Sequence, residues 1–135
     1  MLIRKIHIRY WTVLFLFFYD ARNSEDIEKA LFWAGAPDSI VDHVQTNVHA
    51  NRPDEGFCFS EPSVRRTVVG VGKTSTGPEF MNTTVHEVAH VALHIAQEDK
   101  IDPYSEELAY LIGDIIQGVS DIVCELSCPH CNRHQ

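Results

Sequence analysis

Basic residues are scarce in this 135-residue chain: 11 lysines and arginines stand against 19 aspartates and glutamates, a formal charge of −8. That balance disfavours nucleic acid or an anionic membrane as the main partner. Long apolar runs are missing as well. The longest, Trp11 to Tyr19 (WTVLFLFFY), falls well short of the roughly 20 residues that cross a bilayer. It follows a basic start (Arg4, Lys5, Arg9), the layout of a secretory leader. The small-residue cleavage signature is absent, however, and Tyr19-Asp20-Ala21-Arg22 comes directly after it. A buried strand and a cytoplasmic location are the expectations. Repeats and low-complexity stretches are lacking too. What is present is 44% hydrophobic and 10% aromatic content, enough for one core at this length. The eight histidines are many for the size, and they add metal-binding capacity without positive charge near pH 7.

Periodicity predicts strand, helices, strands, helices. Residues 3–19 read as one long strand or a bent strand pair. Ser24 is placed to cap a helix from Glu25 to Ala34, which Gly35 and Pro37 stop. A second helix is expected from Asp38, with Ile40, Val41, Val44 and Val48 on one side. Asn51 to Gly56 is a loop by composition. Phe57–Ser60 and Arg65–Val71 suggest a short antiparallel pair, with a connecting loop from Gly72 to Pro78. A helix from Glu79 to about Ala96 and a last one from Asp102-Pro103 to about Cys124 complete the chain. This order implies an α+β fold with a small antiparallel sheet packed on helices. Residues 1–123 are expected to form one domain and 124–135 a Cys/His-rich tail.

The most informative stretch is His86-Glu87-Val88-Ala89-His90, an H-E-x-x-H pentad inside the predicted helix. Two imidazoles four positions apart project from one face, so both can reach one zinc ion. Glu87 lies about 100° round from His86, suited to taking a proton from a metal-bound water. On the other side, Val85, Val88, Val91, Ala92 and Ile95 form an apolar face. His94 falls on the histidine side.

A catalytic zinc needs three protein ligands and an open position. His94 stands two turns beyond His86, too far along a straight helix to share the ion. The extended form with glycine three residues after the second histidine fails, because Leu93 and Ala96 stand where glycine and histidine are required. The next helix offers Glu106 and Glu107. Glu106 shares a stripe with the small residues Ala109 and Gly113, which would allow close approach to the pentad helix; Glu107 points elsewhere. The stripe favours Glu106.

The order H-E-x-x-H, short loop, then Glu106-Glu107-Leu108-Ala109 resembles the gluzincins, the thermolysin-like zinc peptidases. The likeness is closest to small uncharacterised metallopeptidases of phages and bacterial mobile elements. It rests on Gly72-Lys73-Thr74-Ser75, Glu79-Phe80, His86 to His90, His94-Ile95-Ala96, Ile101-Asp102-Pro103 and Glu106 to Leu111. The resemblance implies a zincin-like domain with Zn2+ on His86, His90 and Glu106 and with Glu87 as general base. The implied reaction is peptide hydrolysis by metal-activated water. Where thermolysin-like enzymes carry an aspartate that orients a histidine ligand, this chain has Tyr110; its hydroxyl or Asp114 is the substitute in the outer layer. His94, Tyr104 and Tyr110 are the candidates for oxyanion contact. A peptide or protein substrate is implied, its identity and the oligomeric state left open, and strand Thr67–Val71 is the expected edge for an extended peptide. The rival reading, favoured by small size, is a non-catalytic zinc-binding or interaction domain on the same fold.

Two further signals are weaker. Gly72-Lys73-Thr74 suggests a phosphate-binding loop, but the glycine required at position 67 is Thr67. Cys124, Cys128, Cys131 and His134 have spacing suited to a second, closed metal site, or to folding back on the first metal and keeping it latent. The C-x-x-C at Cys128 lacks the βαβ context of thiol oxidoreductases.

Overall fold

The computed structural model describes residues 1–127. The apolar run is the second strand of a hairpin, β1 (Leu2–Ile8) and β2 (Trp11–Tyr19). Arg9 and Tyr10 turn the chain with positive φ, 49° and 66°, the left-handed pair that matches strand twist in a two-residue hairpin. Of the two expectations for residues 3–19, the strand pair holds.

From β2 the chain enters a short 3-10 turn at Ala21–Asn23, capped by Asp20. Helices α1 (Ser24–Ala34) and α2 (Asp38–Ala50) follow. Ser24 opens α1 but does not cap it. Its hydroxyl donates to Gln45 Oε1 of α2 at 2.7 Å instead. Gly35, at φ 89°, ends α1 by donating to the Leu31 and Phe32 carbonyls, a conformation that a side chain would strain. Strands β3 (Gly56–Glu61) and β4 (Arg66–Gly72) pair antiparallel, as their sequence suggests. The long helices α3 (Gly77–Asp99) and α4 (Glu106–Ser127) complete the molecule. Helix α4 starts four residues later than Asp102. The Asp102 carbonyl and carboxylate are taken by Ser105 and Tyr104, and Ser105 Oγ accepts from the Leu108 N–H at 3.3 Å.

The fold is α+β, but the expected all-antiparallel sheet is not observed. Strand order is β1-β2-β4-β3, and β2 runs parallel to β4. A parallel neighbour requires a crossover, which α1, α2 and β3 supply. Helices then cover both faces. Trp11, Val13, Phe15 and Phe17 of β2 and Val69 and Val71 of β4 pack with α3 and α4, whereas Leu16 and Val68 pack with α1 and α2. Burial on both sides explains the unbroken apolar run of β2. The register with β4 slips between Phe17 and Tyr19, where Phe18 takes φ 62°. This bulge resets the alternation. Phe17 and Phe18 both join the α3/α4 side, and Tyr19 turns to the α1/α2 side.

Both edges of β4 are occupied, by β2 and β3. The expectation that Thr67–Val71 offers an open edge to a peptide is therefore corrected. The strand with a free side next to α3 is β3. Among the described residues no helix is long and apolar enough to cross a membrane.

Candidate active site

Helix α3 is fixed at both ends by local chemistry. Thr76 Oγ1 accepts from the Glu79 N–H at 3.2 Å, and Pro78 occupies the first turn, where its missing donor costs nothing. Lys100 closes the helix in the left-handed region. Between them the helix turns Val88, Val91, Ala92 and Ile95 fully inward. Val85, expected on that face, is half-exposed, and Thr84 takes the inward place.

His86 and His90 project into solvent from adjacent turns, Nε2 to Nε2 at 3.2 Å with rings edge to face. Two nitrogens bound to one tetrahedral zinc at about 2.0–2.1 Å stand roughly 3.3 Å apart, so the pair has the separation of two ligands of a single ion. Glu87 does not share their exposure. At 5% accessible it turns toward β3, where its Cγ would lie 3.1 Å from a Cβ at Gly56. Burial pushes its carboxyl above the usual carboxylate range, with His86 and His90 pulling the other way. Oε1 lies 3.9 Å from His86 Nε2, and Oε2 is buried without a hydrogen-bond partner among the described residues. An unmet buried acceptor is costly; among the described residues Trp11 Nε1 and Thr84 Oγ1 are buried without a partner as well.

Glu87 lies in the lining of an open cleft of ≈ 370 Å³, together with His86, Thr83, Gly56, Asp54 and Asn47. Two turns along α3 from Glu87, His94 is held at Nδ1 by Ser60 Oγ of β3 at 2.7 Å, and Ser60 is bonded in turn to the buried Thr67 Oγ1 at 2.7 Å. Burial, and then the charge of His90, lowers the His94 pKa, so the ring is neutral near pH 7. Cys58 sits 3.9 Å from the same nitrogen. Burial, with Glu87 nearby, raises its thiol far above the normal range, which makes it a poor nucleophile.

Glu106 is placed elsewhere. Helix α4 buries Leu108, Leu111, Ile115, Val119 and Ile122, while Glu106, Ala109 and Gly113 are exposed, with nothing near Gly113. The small-residue stripe faces solvent, so the close approach expected of it does not occur. The reason is the apolar stripe of α4, which is the wider of the two and takes the contact. The pentad helix also presents different sides to its two neighbours. Gly77 meets Ser127 of α4 and Glu87 meets β3, and the two positions lie about 80° apart. His86 lies about 180° round from Gly77, away from α4. Moreover, α3 continues to Asp99, about 20 Å along the axis from His86. There Arg9 bridges Asp99 and Glu107 at 3.2 Å each, tying the start of α4 to that far end. Tyr110 and Asp114 share a separate cleft with Glu106, so neither stands behind the histidine pair. Tyr104 is 95% exposed. Among the described residues, no three histidine, cysteine or carboxylate side chains gather as a group able to hold a metal.

Cys124 is exposed on α4; Cys128, Cys131 and His134 lie outside the described residues. Lys73, from the loop after β4, bonds Asp20 at 2.7 Å. Sequence reasoning missed Asp54, Glu55, Ser60 and Thr67. The first two were legible only as loop composition, and the polar pair only as alternation within strands. No family model, curated protein or solved structure matches the chain.

Proposed function

We propose that the protein is a zinc-dependent peptidase, with the cleft between α3 and β3 as its active site. The observation that carries this reading is the pair of imidazole nitrogens 3.2 Å apart beside a buried carboxylate with one unpartnered oxygen. In it His86 and His90 hold the metal, and Glu106 stands outside the ligand set as α4 is placed. Zinc there would supply Lewis acidity and a bound water acidified toward neutral pH. Glu87 takes the proton of the attacking water and delivers it to the leaving amine. Its burial suits that work, because a carboxyl raised above its normal range is a stronger base. The Ser60–Thr67 pair orients His94 farther along α3, where burial keeps its ring neutral.

A second reading is a metal-binding domain without catalysis, and the absence of a third donor beside the pair among the described residues favours it. Metal analysis of the purified protein, run beside digestion of a peptide library, separates the two. The peptidase reading expects zinc in the wild type and in Glu87→Gln, none in His86→Ala, and cleavage by the wild type alone. Zinc without cleavage selects the second reading. A metal-free wild type that takes up no added zinc rejects both.

A further inference from the structure

The cleft beside Glu87 is one-sided in charge. Its lining holds three carboxylates (Asp54, Glu55 and Glu87) and no lysine or arginine. Nearby cations do little to neutralise them. Lys73 is engaged by Asp20 at 2.7 Å, and Arg52 reaches Glu55 only at 3.4 Å from an exposed position, where such a pair contributes little. Asp54 is bonded by the N–H and hydroxyl of Ser75 at 2.8–3.1 Å. Those neutral donors orient it and leave its charge uncompensated. A carboxylate has about four acceptor sites, so Asp54 keeps capacity for a further donor. Glu87, 5% accessible and with Oε2 unpartnered among the described residues, lines the same cleft.

We propose that this cleft receives a cationic group of the substrate, an ammonium or guanidinium, held between Asp54 and Glu55 at the rim while Glu87 faces the reacting bond. A metal ion at the rim is the poorer occupant, because these carboxylates do not converge as a ligand group. An organic cation spreads its donors over several ångströms and can bridge acids that a single ion cannot. The inference rests on the peptidase reading for the identity of the substrate, a peptide. The site itself is testable without turnover.

Two sources of the cation exist, a lysine or arginine side chain and a free chain end, and the experiment separates them. Binding to the full-length protein is measured by amide chemical-shift titration for three peptide sets. These are N-acetylated peptide amides with one arginine, the same peptides with glutamine in its place, and uncapped glutamine peptides. The arginine set is expected to bind about fivefold more tightly than its glutamine counterpart, with shifts at Gly56 and Thr83. A preference shown only by the uncapped set assigns the site to the chain end and supports the same chemistry. Glu55→Gln is expected to bring the ratio close to one, with Asp54→Asn as a second variant. Asp114→Asn, a charge removal on the far side, leaves the ratio unchanged. Equal binding of all three sets overturns the inference. Charge preference without zinc or cleavage removes the peptidase reading and keeps the cation site; cleavage without charge preference does the reverse.

Discussion

Glu87 combines a cost to the fold with a use in chemistry, and the two can be measured apart. Its carboxyl is easier to protonate folded than unfolded, so its contribution to stability is full at low pH and is lost as pH rises through the raised folded value. Metal-free Glu87→Gln is therefore expected to be more stable than the wild type at pH 7, the gap closing toward pH 4, by denaturant titration across that range. His94 has the opposite dependence. Its folded pKa is lowered, so the unfolded chain takes up a proton first as pH falls below about 6.5. Stability should drop between pH 7 and 5.5, and drop less in His94→Gln. The histidine spacing was legible in the sequence because a helix converts i, i+4 into proximity by geometry alone. The inward turn of Glu87 was not. It depends on Gly56, 31 residues away, which leaves the room that the carboxylate occupies.

Among the elements, β3 and β4 are held by a close fit that one methyl group would break. Gly70 lies opposite Phe57 in the register, and a Cβ there would collide with the Phe57 ring. Gly70→Ala is expected to lower stability by about 1–3 kcal/mol, read as a shift in denaturation midpoint, and to disturb β3 where it lines the cleft. Element boundaries were largely readable because they depend on caps and breakers close in sequence: Gly35 after α1, Pro78 in the first turn of α3. Orientation was not. The side that α4 shows to α3 is decided by competition between two stripes of one helix, and the stripe of Glu106, Ala109 and Gly113 lost to one of leucine, isoleucine and valine. Glu106→Ala is accordingly expected to keep the zinc content of the wild type, whereas His90→Ala loses it. Metal analysis of the two variants checks this placement, and loss of zinc in Glu106→Ala would mean that α4 reaches the pentad.

At the scale of the whole molecule, a sheet covered on both faces was hidden in plain view. The continuous apolar strand Trp11–Tyr19 is what double burial looks like in sequence, but parallel pairing joins residues more than 50 positions apart (Thr12 with Arg66), beyond any local pattern. The metal would bind the folded protein alone, since only α3 brings His86 and His90 together. Saturating zinc, at about 100 times its dissociation constant, should then raise stability by roughly 2.7 kcal/mol. Thermal unfolding with and without zinc measures this, with His86→Ala as the variant that gains nothing.

The slip at Phe18 has a consequence for evolution of this chain. One supernumerary residue decides which hydrophobic layer receives each aromatic ring at the end of β2, and it sets Asp20 where Lys73 bonds it at 2.7 Å. Excising that residue would invert the strand's last step, exchange the two layers' rings and unhook the loop leading into α3. A length change here is thus barred far more strictly than any exchange of one apolar side chain for another.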